Sequence, residues 1–166
     1  MNLQTSISND LITIKPVQEN DFEALFSVAS DELLWEQHPN NDRYKREVFQ
    51  VFFDNAIKSK GAFVIIDNTT NKVIGSSRYY EFNKEESSII IGYTFISRDF
   101  WGTKYNGSLK ELMINYAFQF VNKIHFHVGD TNYRSQKAVE KLGAIKIGEL
   151  PDDTSPKTNW LYELKK

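Results

Sequence analysis

The run Ile89-Ile90-Ile91-Gly92-Tyr93-Thr94-Phe95-Ile96 is apolar at nearly every position, and after a short interval comes Phe100-Trp101-Gly102-Thr103-Lys104-Tyr105-Asn106-Gly107-Ser108. The first stretch has the composition of a strand covered on both faces, so it belongs in the middle of a sheet. The second is a glycine-punctuated loop. It leads into a segment whose apolar residues Leu109, Leu112, Met113, Tyr116, Ala117, Phe120 and Val121 repeat at helical spacing. Ser108 and Glu111 have the spacing of a capping box, which predicts that the helix starts there. A central strand feeding directly into a glycine-edged helix start is the unit around which the rest of the chain is organised.

Upstream, Leu11, Ile12 and Ile14 predict a short strand that ends at Pro16. Asp21 is placed to cap a helix with Phe22, Leu25, Phe26 and Ala29 on one face. The segment from Leu33 to Arg43 reads as a loop containing Trp35, His38 and Pro39. It precedes a helix over 45–59 that is expected to bury Val48, Val51, Phe52 and Ile57. Strands over 63–66 and 73–80 flank a polar hairpin loop, and the strand over 88–96 follows. Downstream of the central helix come a strand at 123–128, a helix at about 133–142, and terminal strands near 144–147 and 159–164. The order β-α-α-β-β-β-α-β-α-β-β predicts an α/β (α+β) mixed sheet with helices on both faces, not a doubly wound Rossmann fold. With no internal repeat and no Gly/Ser/Pro-rich linker, the 166 residues read as one domain, 1–166.

Composition narrows the chemistry. The 12 Phe, 8 Tyr and 3 Trp supply enough large apolar surface for a core. The absence of cysteine excludes disulfides, thiolate nucleophiles and zinc-thiolate sites. A net charge of −2 argues against nucleic acid or anionic lipid as a partner. No apolar run approaches the ~20 residues of a membrane span. The start of the chain lacks the pattern of a signal peptide, so a cytoplasmic protein is expected.

The loop at 101–107 has the makings of a phosphate site. A helix N-terminus offers unpaired N–H groups and a partial positive charge, and Gly102 and Gly107 let backbone come close to a ligand. Lys104 adds a mobile charge. The same glycines also suit a plain strand-to-helix turn, and the spacing is neither that of a P-loop nor that of a dinucleotide fingerprint.

The segment Gly129-Asp130-Thr131-Asn132-Tyr133-Arg134-Ser135-Gln136-Lys137-Ala138-Val139-Glu140-Lys141-Leu142-Gly143 carries the pattern N-x-R-S-x-x-x-x-x-K-x-G. It resembles the second cofactor-binding segment of the Gcn5-related N-acetyltransferase (GNAT) superfamily, especially its ribosomal-protein N-terminal acetyltransferase-like branch, of which a subset has a W-G-x-x-Y-N run like that at 101–106. The resemblance covers nearly the whole chain. It implies a GNAT-like, mostly antiparallel sheet splayed between strands 88–96 and 123–128, with the arm of acetyl-CoA in the gap. It implies that the amides of Trp101, Gly102, Thr103, Lys104, Tyr105, Asn106 and Gly107 hold the pyrophosphate, and that Asn132 and Ser135 contact the cofactor. The acetyl group would pass directly to a primary amine, either a protein N-terminal α-amine or a small molecule. A backbone N–H near Phe95 or Ile96 would face the developing oxyanion.

Departures from the family pattern fall at chemically important positions. Trp101, Lys104 and Asn106 stand where its pyrophosphate loop has Gln or Arg and two small residues, Ile90 where many members have a strand Glu, and Val139 where others have a Tyr general acid. The proton-handling groups therefore have to be sought elsewhere. His38, in a polar-aromatic loop, is the first candidate base, with Tyr93 and Glu81 as alternatives. Arg78, mid-strand, and Trp35 are candidate contacts to the acceptor, Arg78 either orienting an acidic group or forming a structural ion pair. His125 and His127 share a strand face but lack a third ligand of suitable spacing, so no metal is expected. A non-catalytic CoA-binding regulatory module and a nucleotide-phosphate binder stand as competing readings, and a monomer and a homodimer are equally compatible with the sequence.

Overall fold

The computed structural model describes residues 1–151 and 157–166. Eight strands form one sheet: β1 (Ile7–Ser8), β2 (Ile12–Pro16), β3 (Ala62–Asp67), β4 (Lys72–Asn83), β5 (Ser88–Ile96), β6 (Lys123–Gly129), β7 (Ile145–Pro151) and β8 (Thr158–Lys165). Their spatial order is β1-β2-β3-β4-β5-β6-β8-β7. Every neighbouring pair is antiparallel except β5 and β6. The all-apolar run at 89–96 thus lies inside the sheet, and the mixed sheet flanked on both faces agrees with the reading of the sequence.

Four helices cover the sheet: α1 (Phe22–Ala29), α2 (Arg46–Ser59), α3 (Tyr105–Ala117) and α4 (Tyr133–Lys141). Leu25 and Ala29 of α1 and Phe49, Phe52 and Phe53 of α2 form one apolar cluster with Trp35, Val64 and Phe95. Leu109, Met113 and Ala117 of α3 and Val139 of α4 form a second cluster on the other face, against Ile89, Ile91, Ile124 and Phe126. None of the helices among the described residues is long and apolar enough to cross a membrane.

Several local expectations change. Helix α3 begins at Tyr105, so Ser108 lies inside its first turn and caps nothing; its Oγ instead accepts a hydrogen bond from Asn9 Nδ2 at 2.8 Å. Phe120 falls beyond the helix end and is exposed. The buried face of α2 is Phe49, Phe52, Phe53 and Ala56, and Val51 points to solvent, because the aromatic side chains claim the sheet. The Asp21 carboxylate accepts from the Gln18 amide and closes a 3-10 turn over 19–21, not the start of α1. Trp35 closes a further 3-10 turn over 32–35 and is buried.

Two irregularities shape the centre of the sheet. Between Ser76 and Arg78 of β4, the facing strand β5 has one residue extra, and Tyr93 there has φ 53°. A second bulge, on β4, contains Glu81 at φ 50°. Bulges of this kind bend a strand and re-aim its side chains. The parallel ladder between β5 and β6 holds only three pairs, Ser88 with Lys123, Ile89 with Ile124 and Ile90 with His125. Past Ile90 the two strands separate, while β6 stays paired to β8 as far as Gly129.

Candidate active site

The separation of β5 from β6 opens a cavity of about 800 Å³ that reaches through the sheet. Its floor is β5 from Ile91 to Ile96 and β6 from Phe126 to Gly129, one rim is the loop and first turns of α3, and another is the start of α4. The loop at 36–43 closes the side nearest α2; Pro39 comes so near Gly129 that a Cβ there would lie 2.4 Å from its ring. Because the β5–β6 ladder ends at Ile90, the edge of β5 facing the cavity has no strand partner over 91–96. Unpaired backbone polar groups of this kind need a partner, from ligand or solvent.

The α3 rim is built for close approach. Gly102 has φ 71°, which disfavours any side chain, and a Cβ on Gly102 or Gly107 would meet no protein atom within 4 Å. The Tyr105 amide donates to Thr103 Oγ1, and the first helical bond runs from the Ser108 amide to Lys104 O, leaving the Asn106 and Gly107 amides with no acceptor among the described residues. The Tyr105 side chain turns away from the cavity: its hydroxyl donates to Asp67 Oδ1 at 2.7 Å and its ring packs on Phe100. Tyr105 therefore anchors the helix start to the end of β3, and only its backbone belongs to the rim.

Trp101 and α4 meet across the mouth. Trp101 Nε1 donates to Ile96 O at 3.0 Å, and the Arg134 guanidinium lies 3.5 Å from the Trp101 ring centroid. Asn132 is the N-cap of α4, its Oδ1 accepting from the Ser135 amide. Gln136 Nε2 ties the preceding turn together through Gly129 O and Asp130 O. Phe95, Ile96, Trp101, Gly102, Thr103, Lys104, Asn106, Gly107, Asn132 and Ser135 all line the one cavity. Tyr105 does not.

Candidate proton-transfer groups divide. Tyr93 lines the cavity at the β5 bulge, with the Arg78 guanidinium 4.1 Å from its ring centroid. Glu81 is exposed and lies outside the lining. His38 lines the cavity, but Nδ1 accepts from the Asn40 amide at 2.9 Å and Nε2 faces Arg43 at 3.5 Å. Burial, and then the Arg43 charge, push its pKa down to about 3, so the ring is neutral and a poor proton acceptor. Trp35 is buried with Nε1 donating to Ala29 O; it packs beside Phe95 and lies outside the lining of this cavity. Arg78 makes no ion pair among the described residues. His125 pairs with Glu163 at 3.1 Å and His127 packs edge-on to Tyr80; no metal-holding group of three or more His, Cys, Asp or Glu occurs among the described residues.

Two cationic residues went unnoticed in the sequence. Lys110 is only 7% exposed, lines the cavity, and donates from Nζ to Thr94 Oγ1 at 3.0 Å. Burial pushes its pKa down to about 8. Its signal was a lysine on an apolar helix face, in phase with Met113, Ile114 and Ala117. Arg43, which sits over Phe52 at 4.6 Å, had no signal, because it follows a polar Asn-Asn-Asp run. In all, Arg43, Lys104, Lys110, Arg134, Lys137 and Lys141 line the cavity, and among the described residues no Asp or Glu does. In a chain of net charge −2 this is a strong local excess, suited to a ligand with several negative charges. A polyphosphorylated cofactor with an extended arm fits both the cationic rims and the open strand edge.

Comparison with known proteins agrees with this geometry. The acetyltransferase (GNAT) domain family matches residues 12–145. Among solved structures, an acetyltransferase (GNAT family) from Bacillus anthracis superposes with a TM-score of 0.80 at 17% identity, over 97% of this chain and 98% of that one. A GCN5-related N-acetyltransferase from Brucella melitensis gives 0.85 at 17% identity, over 98% and 79%. Spermidine N-acetyltransferase from Vibrio cholerae, in complex with CoA and spermine, gives 0.73 at 16% identity, over 95% and 96%. No curated protein matches. By its family match and its splayed sheet, the chain belongs to the Gcn5-related N-acetyltransferase (GNAT) family of acetyl-CoA-dependent acetyltransferases.

Proposed function

We propose that this protein transfers the acetyl group of acetyl-CoA directly to a primary amine, as a member of the ribosomal-protein N-terminal acetyltransferase-like branch. The observation that carries the reading is the cavity at the β5–β6 separation, which joins a free strand edge to a rim of unpaired amides and cations. Acetyl-CoA supplies the activated acyl group and its own thiol as leaving group, so no protein nucleophile is needed in a chain without cysteine.

The residues present would act as follows. The Asn106 and Gly107 amides, with Lys104 beside them, hold phosphate at the α3 start. Asn132 and Ser135 border the arm of the cofactor at the start of α4, and the open edge of β5 around Phe95 and Ile96 orients the acyl end. Trp101 and Arg134 shield the mouth. An α-amine, with a pKa near ~8, is substantially neutral at physiological pH and needs only a weak acceptor for its proton. With His38 held neutral and its Nδ1 engaged, and Glu81 turned to solvent, Tyr93 is the one of the three candidates left at the acceptor end, with solvent beside it.

Asn132 gives a test that separates binding from folding. Asn132→Ala removes an N-cap, at a cost of about 1 kcal/mol, as well as a cavity contact. Asn132→Asp keeps a good cap but adds a negative charge facing the cofactor. The expected result is that both variants weaken acetyl-CoA binding by calorimetry, with Asn132→Asp folding as stably as the parent. Unchanged affinity in Asn132→Asp would remove Asn132 from the cofactor site, and thermal stabilisation by ATP but not by acetyl-CoA would overturn the assignment as a whole.

A further inference from the structure

Arg78 is 6% exposed, in the middle of β4 opposite Gly92, and its Nε has no hydrogen-bond partner. Its guanidinium rests against the rings of Tyr93 at 4.1 Å and Phe52 at 5.5 Å. Arg43 reaches the same two rings from the loop before α2, at 4.6 Å from Phe52 and 5.9 Å from Tyr93, and lines the cavity. Its hydrogen-bonding contact is His38 Nε2 at 3.5 Å. Neither arginine is ion-paired among the described residues; the acidic neighbour in sequence, Asp42, is exposed and bonds to neither.

Two like charges packed on one pair of aromatic rings repel each other, and burial costs both. Burial, and to a lesser degree the Arg78 charge, lowers the pKa of Arg43 to about 10, and burial moves Arg78 in the same direction, yet both remain cationic at neutral pH. Buried charges are ordinarily paired, and a guanidinium left without an acceptor forfeits several charge-assisted hydrogen bonds. Cation-π contact recovers part of the loss and holds the two side chains in place, with N–H groups unspent. Arg43 and Tyr93 line the cavity and Arg78 lies against the Tyr93 ring just outside the lining, so the pair is preorganised for an anion that enters from the cavity. Its position matters: Arg78 is in register with Gly92, next to the bulge that begins the open edge of β5, on the face carrying α2 and away from the cationic α3 and α4 rims.

We propose that Arg43 and Arg78 bind a carboxylate of the acceptor, so that the preferred substrate is an amine with a carboxylate close to the reacting nitrogen, such as an acidic N-terminal residue or a free amino acid. The inference rests on the acetyltransferase reading for its chemistry and adds the acceptor class. It also excludes polyamines, whose ammonium groups would face two unpaired guanidiniums. Spermine, bound by the Vibrio cholerae relative, is the opposite charge type.

The test uses two isosteric pairs. In the first arm, N-acetylaspartate amide and N-acetylasparagine amide are titrated into the full-length protein with and without CoA, following intrinsic tryptophan fluorescence; this arm needs no turnover. The aspartate compound is expected to bind at least tenfold more tightly, and Arg78→Met or Arg43→Gln to abolish the difference. In the second arm, aspartate amide, asparagine amide and spermidine are compared as acceptors by release of free thiol from acetyl-CoA, with aspartate amide expected to have the highest kcat/KM. Equal binding of the two acetyl compounds, or preferred acetylation of spermidine, overturns the anion site even if acetyl-CoA binds and turns over. Absence of acetyl-CoA binding overturns the acetyltransferase reading, and the first arm still decides the carboxylate site by itself. Should Arg78→Met fold poorly, Arg78→Lys keeps the charge without the planar fork and is expected to weaken aspartate selectivity while preserving the fold.

Discussion

Lys110 sits on the apolar face of α3, and among the described residues its ammonium has one hydrogen bond, to Thr94 Oγ1, and no carboxylate. Thr94 already meets Ser77 at 2.8 Å, so the lysine is not needed to satisfy it. Displacement of its pKa from 10.5 to about 8 corresponds to roughly 3 kcal/mol at 1.36 kcal/mol per unit, charged against the folded state wherever the lysine is protonated. The sign follows from proton uptake: between pH 8 and 10.5 the unfolded chain binds more protons than the folded one, so stability rises with pH over that window. Below pH 8 the penalty is complete. Lys110→Met, which fills similar space beside Phe126, is therefore expected to stabilise the ligand-free protein by a few kcal/mol at pH 7. The gain should shrink as pH rises and vanish near pH 11. Denaturant unfolding at pH 7 and pH 10.5 checks this, and a gain independent of pH would mean that the lysine is not desolvated.

At the scale of elements, the start of α3 shows how far local sequence reaches. The loop, the helix and its apolar stripe are legible from spacing alone, but the capping-box reading put the N-cap at Ser108, four residues beyond Lys104, where the structure has it. A tertiary contact decided the matter: Tyr105 reaches Asp67, and Ser108 is occupied by Asn9, both from distant parts of the chain. Likewise α2 has apolar residues on more than one face, and only the sheet beneath selects Phe49 and Phe53 over Val51. The pairing of Arg43 with Arg78 was half legible. Arg78 in a strand is conspicuous, whereas Arg43 becomes its neighbour only because the loop at 36–43 folds over the gap. Gly107 offers a test at this scale. It occupies the third position of α3, where Ala is the better helix former by up to about 1 kcal/mol, and a methyl there would meet no protein atom. Gly107→Ala is expected to raise the melting temperature of the free protein and to weaken acetyl-CoA binding several-fold, because the methyl enters the ligand's space. Tighter or unchanged binding would move the phosphate away from this rim.

For the molecule as a whole, the splayed sheet and the distribution of charge work together. A chain with 22 acidic and 20 basic residues places six of its cations around one opening and keeps every described carboxylate off its lining. Net charge gives no hint of this, which is why composition argues against a polyanion partner while the folded surface provides a site for a small one. Absence of cysteine, equally uninformative at first sight, is consistent with transfer that uses the thiol of the cofactor. The absence of an ionisable side chain at Ile90 and Val139 bears on whether the cavity turns over or only binds. Release of free thiol from acetyl-CoA in the presence of aspartate amide and a panel of other primary amines tests the central claim most directly. Amine-dependent thiol release with one acetylated product per thiol is the expected result; tight acetyl-CoA binding without turnover on any amine would contradict it and leave a CoA-binding module.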